Sequence, residues 1–141
     1  MKTSARNALR GEVVETRLGA VNAEVRLKVS DFVEIVAIVT RESAEELDLS
    51  PGRAALALIK SSFVILAVGE GPLRTSARNC LSGVVIRHER GTVNDEVVLE
   101  IDDGMTITAT VTRESADELG LEPGVRAKAL IKASHVILAV D

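Results

Sequence analysis

The chain has 141 residues, a formal net charge of −4 and a pI near 5.3. Its acidic balance, 1% aromatic content and lack of Trp and Tyr exclude the basic footprint and stacking platforms of a nucleic-acid binder. Apolar residues reach 46%, chiefly Val, Ile, Leu and Ala, which excludes disorder and favours β-rich structure. The single cysteine, Cys80, rules out an intrachain disulfide and is expected to be a small buried apolar residue. The first residues carry no signal-length apolar run, and the longest apolar stretch, Phe63 to Val68, is too short to cross a bilayer. A cytoplasmic protein with no membrane contact is the expectation.

The first predicted strand runs from Leu9 to Thr16 and contains Gly11, which marks a bulge or a close backbone approach. Gly19 lies in the turn that follows. Val21, Ala23, Val25, Leu27 and Val29 alternate with Asn22, Glu24, Arg26 and Lys28, the period of a half-buried strand. Val33 to Val39 is a third strand. Thr40 is placed to cap a short helix, Arg41 to Leu47, with Glu42 at its positive end. Ser50-Pro51-Gly52 stops it. Arg53 to Lys60 and Phe63 to Val68 are the last two strands, parted by Ser61 and Ser62.

The whole order then recurs at an offset of 72 residues. Thr3-Ser4-Ala5-Arg6-Asn7 returns as Thr75-Ser76-Ala77-Arg78-Asn79, and Val64-Ile65-Leu66-Ala67-Val68 as Val136-Ile137-Leu138-Ala139-Val140. No gap is needed, and roughly 39 of 67 aligned pairs are identical. The chain is therefore one module written twice, 1–69 and 75–141, joined by a Gly- and Pro-containing linker at 70–74. Five strands with a helix between the third and fourth predict an all-β chain with one short helix per module: two tandem OB-like five-stranded barrels. Modules of about 67 residues are small for an independent core, so packing against other modules is expected.

Polar residues between the strands carry the chemistry. Ser4 and Arg6, with Asn7, precede the first strand; Thr40 ends the third; Lys60, Ser61 and Ser62 turn between the last two. The second module offers Ser76, Arg78, Asn79, Thr112, Lys132 and Ser134. Guanidinium, ammonium and hydroxyl donors with few carboxylates suit a tetrahedral oxyanion. A donor-only pocket disfavours phosphate, which near neutral pH keeps a proton in need of an acceptor. It admits fully deprotonated dianions. The same residues read equally well as ordinary turns and surface. A second stretch, Gly19-Ala20-Val21-Asn22, pairs with Gly91-Thr92-Val93-Asn94. A Gly-Asn turn can present N–H groups to an anion, although an ordinary β-turn is the simpler reading. His88 and His135 face Thr16 and Phe63 across the repeat, so neither recurs; a surface or satisfied core role fits each. No zinc spacing, phosphate loop or nucleophile elbow is present, so no metal site, no cofactor and no enzymatic activity is expected.

The Thr-Ser-Ala-Arg-Asn start, Gly-Ala-Val-Asn-Ala-Glu-Val, Val-Thr-Arg-Glu-Ser-Ala and Leu-Ile-Lys-Ala-Ser-x-Val-Ile-Leu together resemble the Mop-type molybdate-binding module. Two modules with little else resemble the tandem molbindins. The resemblance implies molybdate or tungstate as ligand, intracellular storage as role, and a homotrimer as assembly. It implies one class of site in which the Ser-Ala-Arg segment of one module meets the Lys-x-Ser turn of another: Ser4, Arg6, Lys60, Ser61 and Ser62, then Ser76, Arg78, Lys132, Ala133 and Ser134, with Thr40 and Thr112 beside them. It implies a second class near the symmetry axis at Gly19, Val21, Asn22, Gly91, Val93 and Asn94. The chain departs from that pattern at Thr92 and Asp95, where the first module has Ala20 and Ala23. Asp95 brings a carboxylate to the second turn. Such modules also occur attached to DNA-binding or transport-ATPase domains, so a molybdate-responsive regulator acting through a separate partner is the alternative.

Overall fold

The computed structural model describes residues 2–141. Its strands are β1 (Asn7–Leu18), β2 (Asn22–Lys28), β3 (Glu34–Thr40), β4 (Ala54–Ile59), β5 (Ile65–Ala67), β6 (Asn79–Glu89), β7 (Asn94–Asp102), β8 (Met105–Thr112), β9 (Arg126–Ile131) and β10 (Ile137–Ala139). The helices are α1 (Arg41–Glu46) and α2 (Arg113–Leu119), and 3₁₀ turns occupy Ser61–Phe63 and Ala133–His135. All strand pairs are antiparallel. The predicted fifth strand from Phe63 is thus shortened, because Phe63 N–H donates to the Lys60 carbonyl and closes a turn first.

The compact units do not follow the repeats. One unit is Met1–Ile59 with Lys132–Asp141; the other is Lys60–Ile131. The first holds a five-stranded sheet in the order β10-β4-β1-β2-β3, the second one in the order β5-β9-β6-β7-β8. The final short strand of each repeat completes the sheet of the other. Ile137 pairs with Leu58 and Leu138 with Ala57; Ile65 pairs with Leu130 and Leu66 with Ala129. The two final strands carry the same three residues, Ile-Leu-Ala.

In the first unit Val13, Val25, Leu27, Ile35, Ala57 and Ile59 point inward and are fully buried, and Val64's counterpart Val136 and Leu138 seal the β10 side. The second unit repeats this with Val85, Val97, Leu99, Ile107, Ala129 and Ile131. Alternation also corrects the expectation for Cys80, which is exposed. Asn79 and Leu81 face the core, so the residue between them faces out, as its counterpart Ala8 does.

Gly11 is a close-approach point. A Cβ there would lie 2.4 Å from the Lys28 carbonyl oxygen, and one at Gly83 would lie 2.5 Å from that of Glu100. The backbones cannot part without breaking the β6–β7 ladder. Gly83→Val is expected to cost about 2 kcal/mol or more. That lowers the midpoint of a circular-dichroism melt by roughly 10 °C for a unit of this size.

Candidate functional site

Each sheet gathers the motifs at two ends. In the first unit Asn7 lies opposite Ile59, and Ala8 opposite Leu58, which in turn faces Ile137. Ser4 and Arg6, just ahead of β1, therefore share a sheet end with Lys132 and Ser134, just ahead of β10. Strands β1 and β10 flank β4, about 10 Å apart by strand spacing. In the second unit Cys80 faces Leu130, which faces Ile65. This end brings Ser76 and Arg78 together with Lys60 and Ser62. The strand exchange thus regroups the residues: each Ser-Ala-Arg segment shares a compact unit with the lysine turn of the other repeat.

The local frame of this end is built from hydrogen bonds between side chains and backbone. Asn7 and Asn79 are buried, and their Nδ2 groups donate to the carbonyls of Ile59 at 3.3 Å and Ile131 at 3.2 Å. The Thr3 and Thr75 hydroxyls accept from Ala5 N–H at 3.2 Å and Ala77 N–H at 2.8 Å, shaping the loop that carries the serine and arginine. Ser4, Arg6, Ser76, Arg78, Lys60, Lys132, Ser62 and Ser134 are exposed. Lys60 Nζ sits 5.5 Å from the Phe63 ring centroid, a cation–π contact that holds the ammonium beside its own turn.

Ser61 behaves differently from its neighbours. Its hydroxyl is buried and lies 2.8 Å from Thr110 Oγ1. The corresponding positions of the first unit are Ala133, also buried, and Ile38. A hydroxyl pair in one unit is matched by an apolar pair in the other. Ser61 and Ala133 thus turn their side chains to the core.

The opposite end holds the glycine turns. Asn22 lies directly across from Thr40, and Asn94 from Thr112. The register groups the two threonines with the turns. Their hydroxyls cap the helices, accepting from Ser43 N–H at 3.0 Å and Ser115 N–H at 3.1 Å. Arg41 N–H donates to the Val21 carbonyl at 2.8 Å, and the Arg41 guanidinium reaches the Gly19 carbonyl at 3.1 Å. Arg113 makes the same pair of contacts to Val93 and Gly91, at 2.9 Å and 3.4 Å. Neither arginine was singled out from the sequence. The available signal was Thr-Arg-Glu-Ser, unchanged between repeats. Val21 and Val93 project from the turns, 73% and 72% exposed.

The second turn carries a polar network with no counterpart in the first. The Asp95 side chain is fully buried, with Oδ2 2.6 Å from His88 Nε2 and Oδ1 accepting from Gly91 N–H at 3.0 Å. Arg90 approaches Asp95 to 4.0 Å and pairs with Asp117 at 2.6 Å. Glu122 lies 3.4 Å from His88 Nδ1 and 3.6 Å from Arg90. In the first repeat Thr16 donates to the Leu49 carbonyl and Ala23 fills the place of Asp95. His88 is thus a satisfied core histidine.

The His88 hydrogen bond holds the Asp95 carboxyl below the usual carboxylate range, against the opposing effect of burial and with help from Gly91 N–H and from the charges of His88 and Arg90. A carboxyl whose folded pKa is lowered adds stability that is complete above its unfolded value, about 3.9, and is lost as pH falls through the folded value. The stability difference between the native chain and a His88→Thr, Asp95→Ala chain is therefore expected to shift against the native chain below about pH 4. Urea titrations over that range measure it. Among the described residues, no group of three or more His, Cys, Asp or Glu is placed to hold a metal ion.

Residues 3–66 and 75–138 each match the model of the TOBE domain. The chain is 52% identical over 140 residues to the molybdenum-pterin-binding protein MopA of Rhodobacter capsulatus, covering 99% of this chain and 53% of that protein. It is 48% identical to the molybdenum transport protein ModE of Azotobacter vinelandii, again over 99% of this chain and 52% of the other. The chain spans about half the length of the curated relatives it matches. Among solved structures, the cytoplasmic molybdate-binding protein ModG in a molybdate-bound crystal form superposes with a TM-score of 0.96, at 46% identity and over 100% of both chains.

Proposed function

We propose that this chain, which belongs to the TOBE domain family, binds molybdate or tungstate in the cytoplasm, stores it and releases it unchanged. One observation carries the reading. In both units a serine–arginine segment and the lysine–serine turn of the other repeat lie at one end of one sheet. Arginine can grip two oxygens of a tetrahedral anion in a fork while lysine supplies a point charge. The match to ModG along the full length of both chains supports the same ligand.

In this reading Ser4, Arg6, Lys132 and Ser134 line one oxyanion site, and Ser76, Arg78, Lys60 and Ser62 its equivalent, with backbone groups of Ala133 and Ser61 facing the anion. Each exposed end is completed by the matching end of another copy, in a homotrimer. A second class of site is formed at Gly19, Val21 and Asn22 and at Gly91, Val93 and Asn94, with Thr40 and Thr112 alongside. The chain performs no catalysis.

Equilibrium dialysis against molybdate, with light scattering for the assembly, tests the proposal. At least one anion per chain and a trimeric mass are expected. A monomer without bound anion refutes it. A regulatory role is the second reading, favoured by relatives named as transcriptional regulators, such as ModE of Yersinia pestis at 34% identity. It predicts that a protein partner is captured with molybdate and lost without it.

A further inference from the structure

The two glycine turns share the pattern Gly-x-Val-Asn but are closed by different hydrogen bonds. In the first, Gly19 N–H donates to the Asn22 carbonyl at 2.8 Å, and the β1–β2 ladder runs to the Leu18–Ala23 pair. In the second, Gly91 N–H turns to Asp95 Oδ1 instead, and the β6–β7 ladder stops at the Glu89–Glu96 pair, one pair short of its counterpart. The side chain of Asp95 has taken the Gly91 N–H, while the Asn94 carbonyl stays packed against Gly91, 2.0 Å from where a Cβ would lie.

Everything needed to keep that carboxylate in place is present. His88 crosses to it from β6, and Arg90 approaches it from the chain just beyond β6. Glu122 and Asp117, from the segment after α2 and from α2 itself, hold His88 and Arg90 in turn. Arg113 fastens the other side of the turn through the Gly91 carbonyl. The paired replacements Thr16 to His88 and Ala23 to Asp95 act as one change, since a buried carboxylate without its partner is costly.

We propose that His88 and Asp95 make the two turns unequal toward an oxyanion, leaving the Gly19–Asn22 turn competent and closing the Gly91–Asn94 turn. The proposal rests on the reading of these turns as a second class of site. The fixed carboxylate opposes a dianion at the turn, and the rewired backbone no longer offers the N–H and carbonyl arrangement of the first. The pair is thus a specificity device: it sets how many anions the chain holds.

Tungstate is the probe, located by its anomalous scattering in crystals and counted by dialysis. In the native chain, tungstate is expected at the first turn, with at least tenfold weaker binding at the second. A His88→Thr, Asp95→Ala chain, which installs the residues of the first repeat, is expected to gain tungstate at the second turn. The reverse change, Thr16→His with Ala23→Asp, is expected to lose it at the first. Asp95→Asn, which removes the charge while keeping the shape, is expected to recover binding in part and covers the case of a double variant that does not fold. Equal occupancy of the two native turns, or no gain in the folded variants, overturns the inequality while leaving the turns as sites. Tungstate at neither turn in any of these proteins removes the turn reading and the inequality with it.

Discussion

Replacing Leu138 by alanine will loosen the sheet built from the first 59 residues and leave the sheet of its own repeat intact. Leu138 belongs to the second repeat but pairs with Ala57 of β4 and packs, 6% exposed, in the first unit. Its counterpart Leu66 does the same for the second unit, opposite Ala129. Truncating a buried leucine costs about 2–5 kcal/mol through lost burial and the cavity left behind. Set against a typical total of 5–15 kcal/mol, that is a large share of one small unit's stability. Amide hydrogen exchange is the direct readout. In Leu138→Ala, protection should fall across β1, β2, β3 and β4; in Leu66→Ala, across β6, β7, β8 and β9. If each substitution instead loosens its own repeat, the strands are not exchanged.

The exchange marks the limit of what could be read from the sequence. Alternating Val, Ala and Leu along β2, the Thr40 cap and the offset of 72 residues specified five strands and a helix twice over, because each is a local property of side-chain period or hydrogen-bonding type. Which copy of Val-Ile-Leu-Ala-Val closes which sheet is not local, and identical strands carry no preference. The trace that does exist lies at Ser61 and Thr110, a hydroxyl pair, against Ala133 and Ile38, both apolar. It is visible only once the strands are placed. The site was legible in part for the same reason. Residue type singled out Ser4, Arg6, Lys132 and Ser134, but their grouping followed from register. Asn7 and Asn79 read as ligand donors and proved to be internal clamps on the Ile59 and Ile131 carbonyls. His88 and Asp95 stood out separately in the sequence, one as a histidine that does not recur and one as a carboxylate brought to the second turn. Only their 2.6 Å contact joins them.

Replacing Arg6 and Arg78 together by alanine should abolish most oxyanion binding while leaving the fold untouched. Both side chains are exposed in the single chain and precede the first strand of their sheets. Exposed substitutions away from caps and turns usually change stability by less than about 0.5 kcal/mol. On the proposed function their guanidinium groups make charge-assisted hydrogen bonds to the anion, each worth about 1.5–3 kcal/mol. Since 1.4 kcal/mol is a factor of ten in affinity, each of the two serine–arginine sites should weaken by roughly ten- to a hundredfold. Isothermal titration with molybdate measures this, and a melt unchanged within roughly 4 °C shows that folding is not the cause. Lysine at both positions separates charge from shape. It keeps the positive charge but loses the planar fork, so Arg6→Lys with Arg78→Lys should recover only part of the affinity. Full recovery would mean that charge alone holds the anion. Unchanged affinity in the alanine chain would place the anion elsewhere, and the serine–arginine segments would then be no more than the entry to β1 and β6.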